Sequence, residues 1–500
     1  MSNSMTRRSF LQKSGTAALG LTIIPNVVMG KSFSGVAAPS DKLNIAIVGI
    51  GGMGNSNLNA VKPTENIVAL CDVDWKYAAN VFEANPGAKK YWDWRKMYDE
   101  MGKSIDAVIV ATADHTHAII AATAMTLGKH VFVQKPLTHT VYESRLLTKL
   151  AAKYKVATQM GNQGSSGSGV RQICDWISDG VIGEVTRVDC GTNRPIWPQG
   201  LNTPTQGQWV PDTLNWELFT GPAKLVPFNE IYHPWNWRGW WNYGTGALGD
   251  MACHVMHPIF KGLKLGYPTK VQGSSTLLLT DCAPMAQSIR LTFPTRPKMN
   301  TNKVKYPEVE VYWTDGGITP LLPKGMPYDK RLDIDGPVIF HGTKDTLICS
   351  CYGANPWLLS GRTPNSPKTQ REVPSIEGRR GDSGAHEMDW VRACKESPES
   401  RVETASNFSE AGPFNEMVVM GVLAVRLQGL KRELLWDGEK MEFTNISDTD
   451  EISVTLSDNF KIENGHPTFD APKEKFNAKA FAQELIKHTY RDGWSLPAMP

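Results

Sequence analysis

Three side chains in this sequence have the types and surroundings of an acid–base set: Lys135, Asp250 and His254. Asp250 and His254 stand four residues apart behind the glycine-rich stretch Gly244-Thr245-Gly246-Ala247-Leu248-Gly249, and on a helix that spacing stacks them on one face. A carboxylate beside an imidazole orients the ring and favours its protonated form, raising its pKa. A purely structural hydrogen bond uses the same pair. His257, one turn further, invites a metal reading, but no remote fourth ligand is recognisable, so no metal is expected. Lys135 lies where the apolar run Val131-Phe132-Val133 gives way to Gln134-Lys135-Pro136. Proline cannot donate to a central ladder, so the strand stops and the lysine sits at its carboxyl end, where a plain surface lysine before a turn is the alternative reading. In an open parallel sheet, that edge is where ligands bind.

Upstream, residues 43–50 form a near-continuous apolar run, the pattern of a strand covered on both faces, and lead into Gly49-Ile50-Gly51-Gly52-Met53-Gly54. Glycines at G-x-G-x-x-G spacing permit a tight turn, close approach of backbone to a pyrophosphate, and close packing of the next helix on the strand. That helix supplies unpaired N–H groups and a partial positive charge for phosphate. The next apolar run, 67–71, ends at Asp72, about twenty residues beyond the motif, where a carboxylate grips the adenosine ribose hydroxyls and repels a 2′-phosphate. NAD is therefore expected rather than NADP, held by Gly49, Gly51, Gly52, Met53, Gly54 and Asp72. Asp74 competes for the ribose, and either acid could instead cap the following helix.

The elements that position these groups follow in a regular order. A third apolar run, 107–111, enters Thr112-Ala113-Asp114-His115-Thr116-His117 and then an alanine-rich helical stretch up to Leu127. Strand and helix alternating at this rhythm predict an α/β, doubly wound parallel sheet of Rossmann type. These stretches resemble the cofactor domain of the Gfo/Idh/MocA oxidoreductases, which carry the same glycine motif, an Ala-Thr-Pro-x-x-x-His turn and a Gly-Lys-His-Val-x-x-Glu-Lys-Pro strand. Ala113 stands in place of the proline, and Gln134 in place of the glutamate, keeping hydrogen-bonding capacity while losing charge. The resemblance implies that Thr112, His117, Gln134 and Lys135 also contact the cofactor, and that Lys135, Asp250 and His254 form the catalytic set beside the nicotinamide. It continues through Asn215-Trp216-Glu217-Leu218-Phe219-Thr220-Gly221-Pro222, His233-Pro234-Trp235-Asn236-Trp237-Arg238-Gly239-Trp240-Trp241, Leu435-Trp436-Asp437-Gly438 and Tyr490-Arg491-Asp492-Gly493-Trp494.

Residues 41–163 are thus read as the NAD-binding domain and 164–500 as an α+β domain. The resemblance gives the latter an open, mostly antiparallel sheet whose outer face joins subunits, and so a homo-oligomer, dimer or tetramer. Strands are expected at 183–192, 271–280, 288–293, 309–314 and 338–342, and helices at 170–179, 386–395, 413–430 and after Pro472. Segments 194–242, 294–337 and 358–384 are rich in loop-forming residues. The first of them holds Trp197, Trp209, Trp216, Trp235, Trp237, Trp240 and Trp241. Indole faces suit sugar rings, although most of these rings are expected to anchor the loop itself. Asn162, Arg238, Trp240, Trp241, Tyr243 and His254 are the residues expected to meet a sugar substrate.

With 41% apolar residues and a net charge of +3, the composition is that of an ordinary globular protein. No basic block interleaves with aromatics, so no nucleic-acid partner is expected, and no membrane span follows the amino terminus. Thr6-Arg7-Arg8-Ser9-Phe10-Leu11, an apolar run to Met29 and the small residues Val36-Ala37-Ala38 look like a twin-arginine export signal over 1–38, which places the mature chain in the periplasm. The eight cysteines show no C-x-x-C pair and are read as buried thiols. The expected activity is NAD-dependent oxidation of a secondary hydroxyl of a sugar or glycoside, at C3, giving a 3-keto sugar. His254 takes the O–H proton, Asp250 holds its tautomer and Lys135 polarises the oxyanion, the roles of Lys135 and His254 being exchangeable. Free NAD is scarce in a periplasm, so the cofactor is expected to stay bound and be reset in place. A redox-neutral NAD-dependent glycosidase is the alternative chemistry, and a non-catalytic sugar- or nucleotide-binding relative the alternative of another class.

Overall fold

Six short strands, β1 (Asn44–Val48), β2 (Asn66–Cys71), β3 (Lys89–Tyr91), β4 (Ala107–Val110), β5 (His130–Val133) and β6 (Thr158–Met160), make an all-parallel sheet in the order β3-β2-β1-β4-β5-β6. β4 is buried at every position because helices cover both faces, which explains its unbroken apolar run. The order reverses between β1 and β4, and there the carboxyl ends of the strands leave a crevice. This computed structural model describes residues 41–364 and 384–500. The expected export signal and most of the 358–384 segment lie outside the described residues.

Local signals set the elements that flank Lys135. The Val141–Tyr154 helix begins with a capping box: Thr140 Oγ1 accepts from Glu143 N, and Glu143 Oε2 accepts from the amides of Thr140 and His139. The four residues between Pro136 and this helix are thereby fixed, with Leu137 N donating to Asn415 Oδ1.

Nine further strands form the second sheet: β7 (Val185–Gly191), β8 (Lys270–Ser275), β9 (Gln287–Phe293), β10 (Val309–Thr314), β11 (Val338–Gly342), β12 (Thr346–Cys349), β13 (Trp357–Leu358), β14 (Leu434–Asp437) and β15 (Glu442–Phe443). Their order is β13-β12-β11-β7-β10-β9-β8-β14-β15, and only β7 and β10 run parallel. The Phe408–Arg426 helix lies against β8 closely enough that a Cβ on Gly273 would sit 2.5 Å from the Ala424 backbone. This helix starts at Phe408 rather than at Pro413, because Asn407 caps it by accepting from Ser409 N; the proline lies inside it. The strand expected at 271–280 stops at Ser275.

One continuous apolar core passes from the inner side of the first sheet, through Val131 and Val133, to Phe414 and Met417 of that long helix and on to Val311 of the second sheet. A separate core on the first sheet's other face gathers Ile45, Ile47 and Phe132 around Trp390, which the Ala385–Cys394 helix contributes. A segment late in the chain therefore covers the cofactor sheet, and the boundary at 163 divides the sequence more cleanly than the molecule. No helix among the described residues is long and apolar enough to cross a membrane. Because Trp390 is fully buried against Phe132, with ring centroids 5.7 Å apart, Trp390→Ala is expected to cost about 3–5 kcal/mol. Urea unfolding followed by circular dichroism should show the midpoint falling accordingly.

Candidate active site

A cavity of about 350 Å³ opens at the crevice between β1 and β4 and is lined by residues of both domains. Gly49, Gly51, Gly52, Met53, Asp72, Thr112, Gln134 and Lys135 all border it. The glycine turn is built as the motif demands. Gly49 has φ +81°, a Cβ on Gly51 would collide with the Tyr77 ring at 2.1 Å, and one on Gly54 would lie 1.8 Å from Gly49 O. Gly54 thus serves packing of helix on strand and does not line the cavity. In the first turn of the Met53–Val61 helix Asn55 N already donates to Gly52 O at 3.0 Å, so the amides of Met53 and Gly54 are the donors the helix start offers to phosphate.

Asp72 has a task that its position in the sequence did not reveal. Its Oδ2 accepts from Ile50 N at 2.7 Å and Gly51 N at 3.2 Å, and its Oδ1 from Asp74 N at 2.9 Å. Burial pushes its pKa up against those three bonds. It therefore braces the glycine turn, and Oδ1 retains acceptor capacity for a ribose hydroxyl. Asp74, its rival, is committed to His233 at 2.8 Å. The open cradle, the free amides and the acid at the end of β2 together fit a dinucleotide.

At the cavity's other end, Lys135 Nζ donates to Asp250 Oδ1 at 2.8 Å and to Asp250 O at 3.0 Å. Arg238 Nε reaches the same carboxylate oxygen at 3.3 Å, its guanidinium lying 4.1 and 4.3 Å from the rings of Trp235 and Trp237. Burial opposes ionisation of Asp250, yet the two cations hold its carboxyl well below the usual range. The expected Asp250–His254 hydrogen bond is absent. Asp250 turns to the stronger, charged donors, and His254 Nδ1 is buried with no protein partner, its ring 4.6 Å from that of Tyr352. The pKa of His254 is accordingly lowered rather than raised, by burial first and by the Lys135 ammonium second.

Other expectations need correction. His117 does not border the cavity: Nδ1 lies 2.8 Å from Pro136 O and Nε2 3.1 Å from Thr112 O, while burial lowers its pKa to about 4. The neutral ring can donate to only one of those carbonyls, so it braces the end of β5 rather than the cofactor. Trp240, Trp241 and Tyr243 are buried in apolar cores and do not line the cavity either. Trp237 and Arg238, within the 3₁₀ turn Asn236–Gly239, and Trp235 just ahead of it line the cavity instead. Asn162 and His254 also lie outside that lining, although both side-chain polar atoms of Asn162 are buried without partners. His257 pairs with Glu410 at 2.9 Å.

Sequence reasoning missed Tyr77, His233, Asp114 and Trp494. All but Tyr77 lie in stretches that resemble the family, so a signal existed without a role attached to it. Asp114 is the most consequential. Its Oδ2 accepts from Thr245 Oγ1 at 2.8 Å and Thr245 N at 3.2 Å, tying the first turn of the Asp114–Thr126 helix to the start of the Gly246–Val255 helix, which carries Asp250 and His254. Burial, opposed by Thr245, raises its pKa to about 7.

Fold and site together define a dinucleotide-binding Rossmann domain joined to an α/β domain that supplies charged groups to the cofactor cavity. Residues 43–162 match the family model for the oxidoreductase family's NAD-binding Rossmann fold, and 167–294 match its C-terminal alpha/beta domain, so the chain belongs to the Gfo/Idh/MocA oxidoreductase family. Levoglucosan dehydrogenase of Pseudarthrobacter phenanthrenivorans is 26% identical over 230 residues, 43% of this chain and 49% of that protein. A glycosyl hydrolase family 109 protein of Shewanella putrefaciens is 27% identical over 201 residues, 36% of this chain and 44% of the relative. The chain thus spans about half the length of these relatives. The WlbA dehydrogenase of Bordetella pertussis, solved with NADH and UDP-GlcNAcA, shares the fold at a TM-score of 0.52 and 14% identity, over 79% of this chain and 99% of that one.

The raised pKa of Asp114 has a measurable sign. Between the unfolded value near 4 and about 7, the folded state binds a proton that the unfolded chain does not. The stabilisation is complete below that window and is lost as pH rises through it, at on the order of 1 kcal/mol per unit. Asp114→Asn has no such loss, so its stability relative to the parent should rise from pH 4 to 7 and level off above. Thermal midpoints of both proteins across pH 4.5–8.5 test this; a constant difference would show Asp114 ionised throughout.

Proposed function

We propose that this protein is an NAD-dependent oxidoreductase acting on a secondary hydroxyl of a sugar or glycoside, with C3 as the carbon oxidised and the cofactor retained between half-reactions. The observation that carries the reading is Lys135, an ammonium at the end of β5 on the cofactor cavity, bonded to a carboxylate from the second domain. Similarity to levoglucosan dehydrogenase supports a sugar as substrate. The Arg7-Arg8 motif supports export to the periplasm, where a cofactor that left at each turnover would not be replaced. Exposed Ile318, Leu321, Leu322 and Tyr328 in the segment after β10 support association of copies into a homo-oligomer.

Bound NAD supplies the acceptor for the hydride that leaves the sugar carbon. Lys135 and Arg238 share one carboxylate, so the group carries a net positive charge where the substrate oxygen becomes negative. Lys135 donates to that oxygen. His254, one helical turn beyond Asp250 and outside the cavity lining itself, is kept neutral by burial and is the group that accepts the hydroxyl proton, since only an uncharged imidazole has a lone pair to offer. Asp250 holds Lys135 in place instead of holding the imidazole.

Lys135→Met and His254→Ala should each lower turnover by about two orders of magnitude while NADH binding, followed by fluorescence, persists. Near-normal turnover in either variant removes that residue from the mechanism. Product analysis separates the chemistries: accumulation of a keto sugar supports the oxidoreductase, whereas cleavage of a glycoside with no net change in the cofactor favours the glycosidase suggested by the family 109 relative. No transfer of deuterium from labelled sugars to bound NAD would point to a binding relative.

A further inference from the structure

The far end of the cavity, beyond Asp72, is walled by the second domain. Trp75 N donates to Thr213 O at 2.9 Å and Asn215 N to Val73 O at 2.8 Å, an antiparallel bridge centred on Asp74 and Leu214. These bonds begin one residue after the acid at the end of β2. Asp74 carries the His233 pair, and although burial works against its ionised form, the bonds from His233 and from the amides of Tyr77 and Lys76 keep its pKa low. Leu218 and Phe219 of the short Trp216–Thr220 helix border the cavity, and Phe219 O accepts from His115 Nε2 at 2.9 Å.

The carboxyl-terminal tail completes the wall. Tyr490 Oη donates to Glu143 Oε1 at 2.6 Å, Arg491 N donates to Pro222 O at 2.9 Å, and Arg491 Nη2 to Gly221 O at 2.9 Å. Trp494, thus tethered, borders the cavity with its ring 6.3 Å from Trp94 and 4.3 Å from the Arg95 guanidinium. These three segments wall the cavity beyond Asp72, and none can open without breaking bonds to the Rossmann domain.

We propose that the 213–219 bridge, the Asp74–His233 pair and the tail at Trp494 form a roof that holds the dinucleotide as a resident group, and that they set its rate of release. This rests on the reading that the cavity binds NAD. Such a roof acts on dissociation more than on association. It also gives the retained cofactor a physical basis independent of where the protein works.

The test is to load the full chain with NADH, mix it rapidly with excess NAD, and follow NADH fluorescence as it is displaced. Trp494→Ala and His233→Ala should each release NADH at least about tenfold faster than the parent, with Trp494→Phe restoring slow release. Unchanged thermal midpoints would exclude general unfolding as the cause. If NADH binds but leaves the parent as fast as it leaves the variants, the roof is overturned and the cofactor reading stands. If the parent shows no NADH binding at millimolar concentration and also releases no nucleotide when denatured, the cofactor reading itself falls.

Discussion

The Lys135–Asp250 ion pair joins the two halves of the molecule at the cavity. Its side chains are 14% and 16% exposed, and taking each charge out of water costs several kcal/mol. The cost is offset by the 2.8 Å contact, by a second bond from Lys135 Nζ to Asp250 O, and by Arg238 on the same oxygen. Deleting the carboxylate would leave two cations facing each other, a loss on the order of 3–5 kcal/mol. The same balance accounts for His254. Asp250 spends its hydrogen-bonding on ammonium and guanidinium donors, and the imidazole four residues on stays neutral.

That pair can form only if the Gly246–Val255 helix meets the end of β5 at a fixed angle, and a set of neutral buried groups fixes it. Asp114 bonds Thr245, the His115 ring sits between Tyr243 O and Phe219 O, and His139 Nε2 lies 3.1 Å from Gly244 O. Burial lowers the pKa of both histidines to about 3, so they work as uncharged hydrogen-bonding wedges. Crowding at this joint explains its glycines: a Cβ on Gly244 would lie 2.6 Å from Arg238 Cα, and one on Gly249 1.8 Å from Thr245 Oγ1.

The cofactor half was legible because its signals are local. Apolar runs 43–50, 67–71 and 107–111 became β1, β2 and β4, and the glycine spacing became a cradle. Lys135, read from a strand end, and Asp250, read from a helical interval, meet at the cavity. The role given to Asp250 was wrong because an interval says which residues share a face, not which partner across the interface competes for them; Lys135 is 115 positions away. Trp240 and Trp241 failed for a related reason. In His233-Pro234-Trp235-Asn236-Trp237-Arg238-Gly239-Trp240-Trp241 every aromatic looks equivalent, and only the turn at 236–239 decides which face the cavity and which enter the core.

The departure at Gln134 from the family's glutamate is answered elsewhere in the chain. Gln134 Nε2 donates to Asn57 Oδ1 at 2.9 Å, and Asn57 Nδ2 donates to Glu387 Oε1 at 2.7 Å. Asn57 is fully buried in the helix behind the glycine turn, and Glu387 comes from the helix that carries Trp390 beneath the sheet. Burial raises the pKa of Glu387, and a single amide separates it from position 134. An ionised glutamate at 134 would present acceptors to the acceptor side of Asn57 and add a second buried negative charge to the same short chain of bonds. An amide supplies the donor that the chain needs and leaves the one charge at its far end, so Gln134 and Glu387 are two ends of a single arrangement that holds the helix behind the glycine turn against the cofactor sheet.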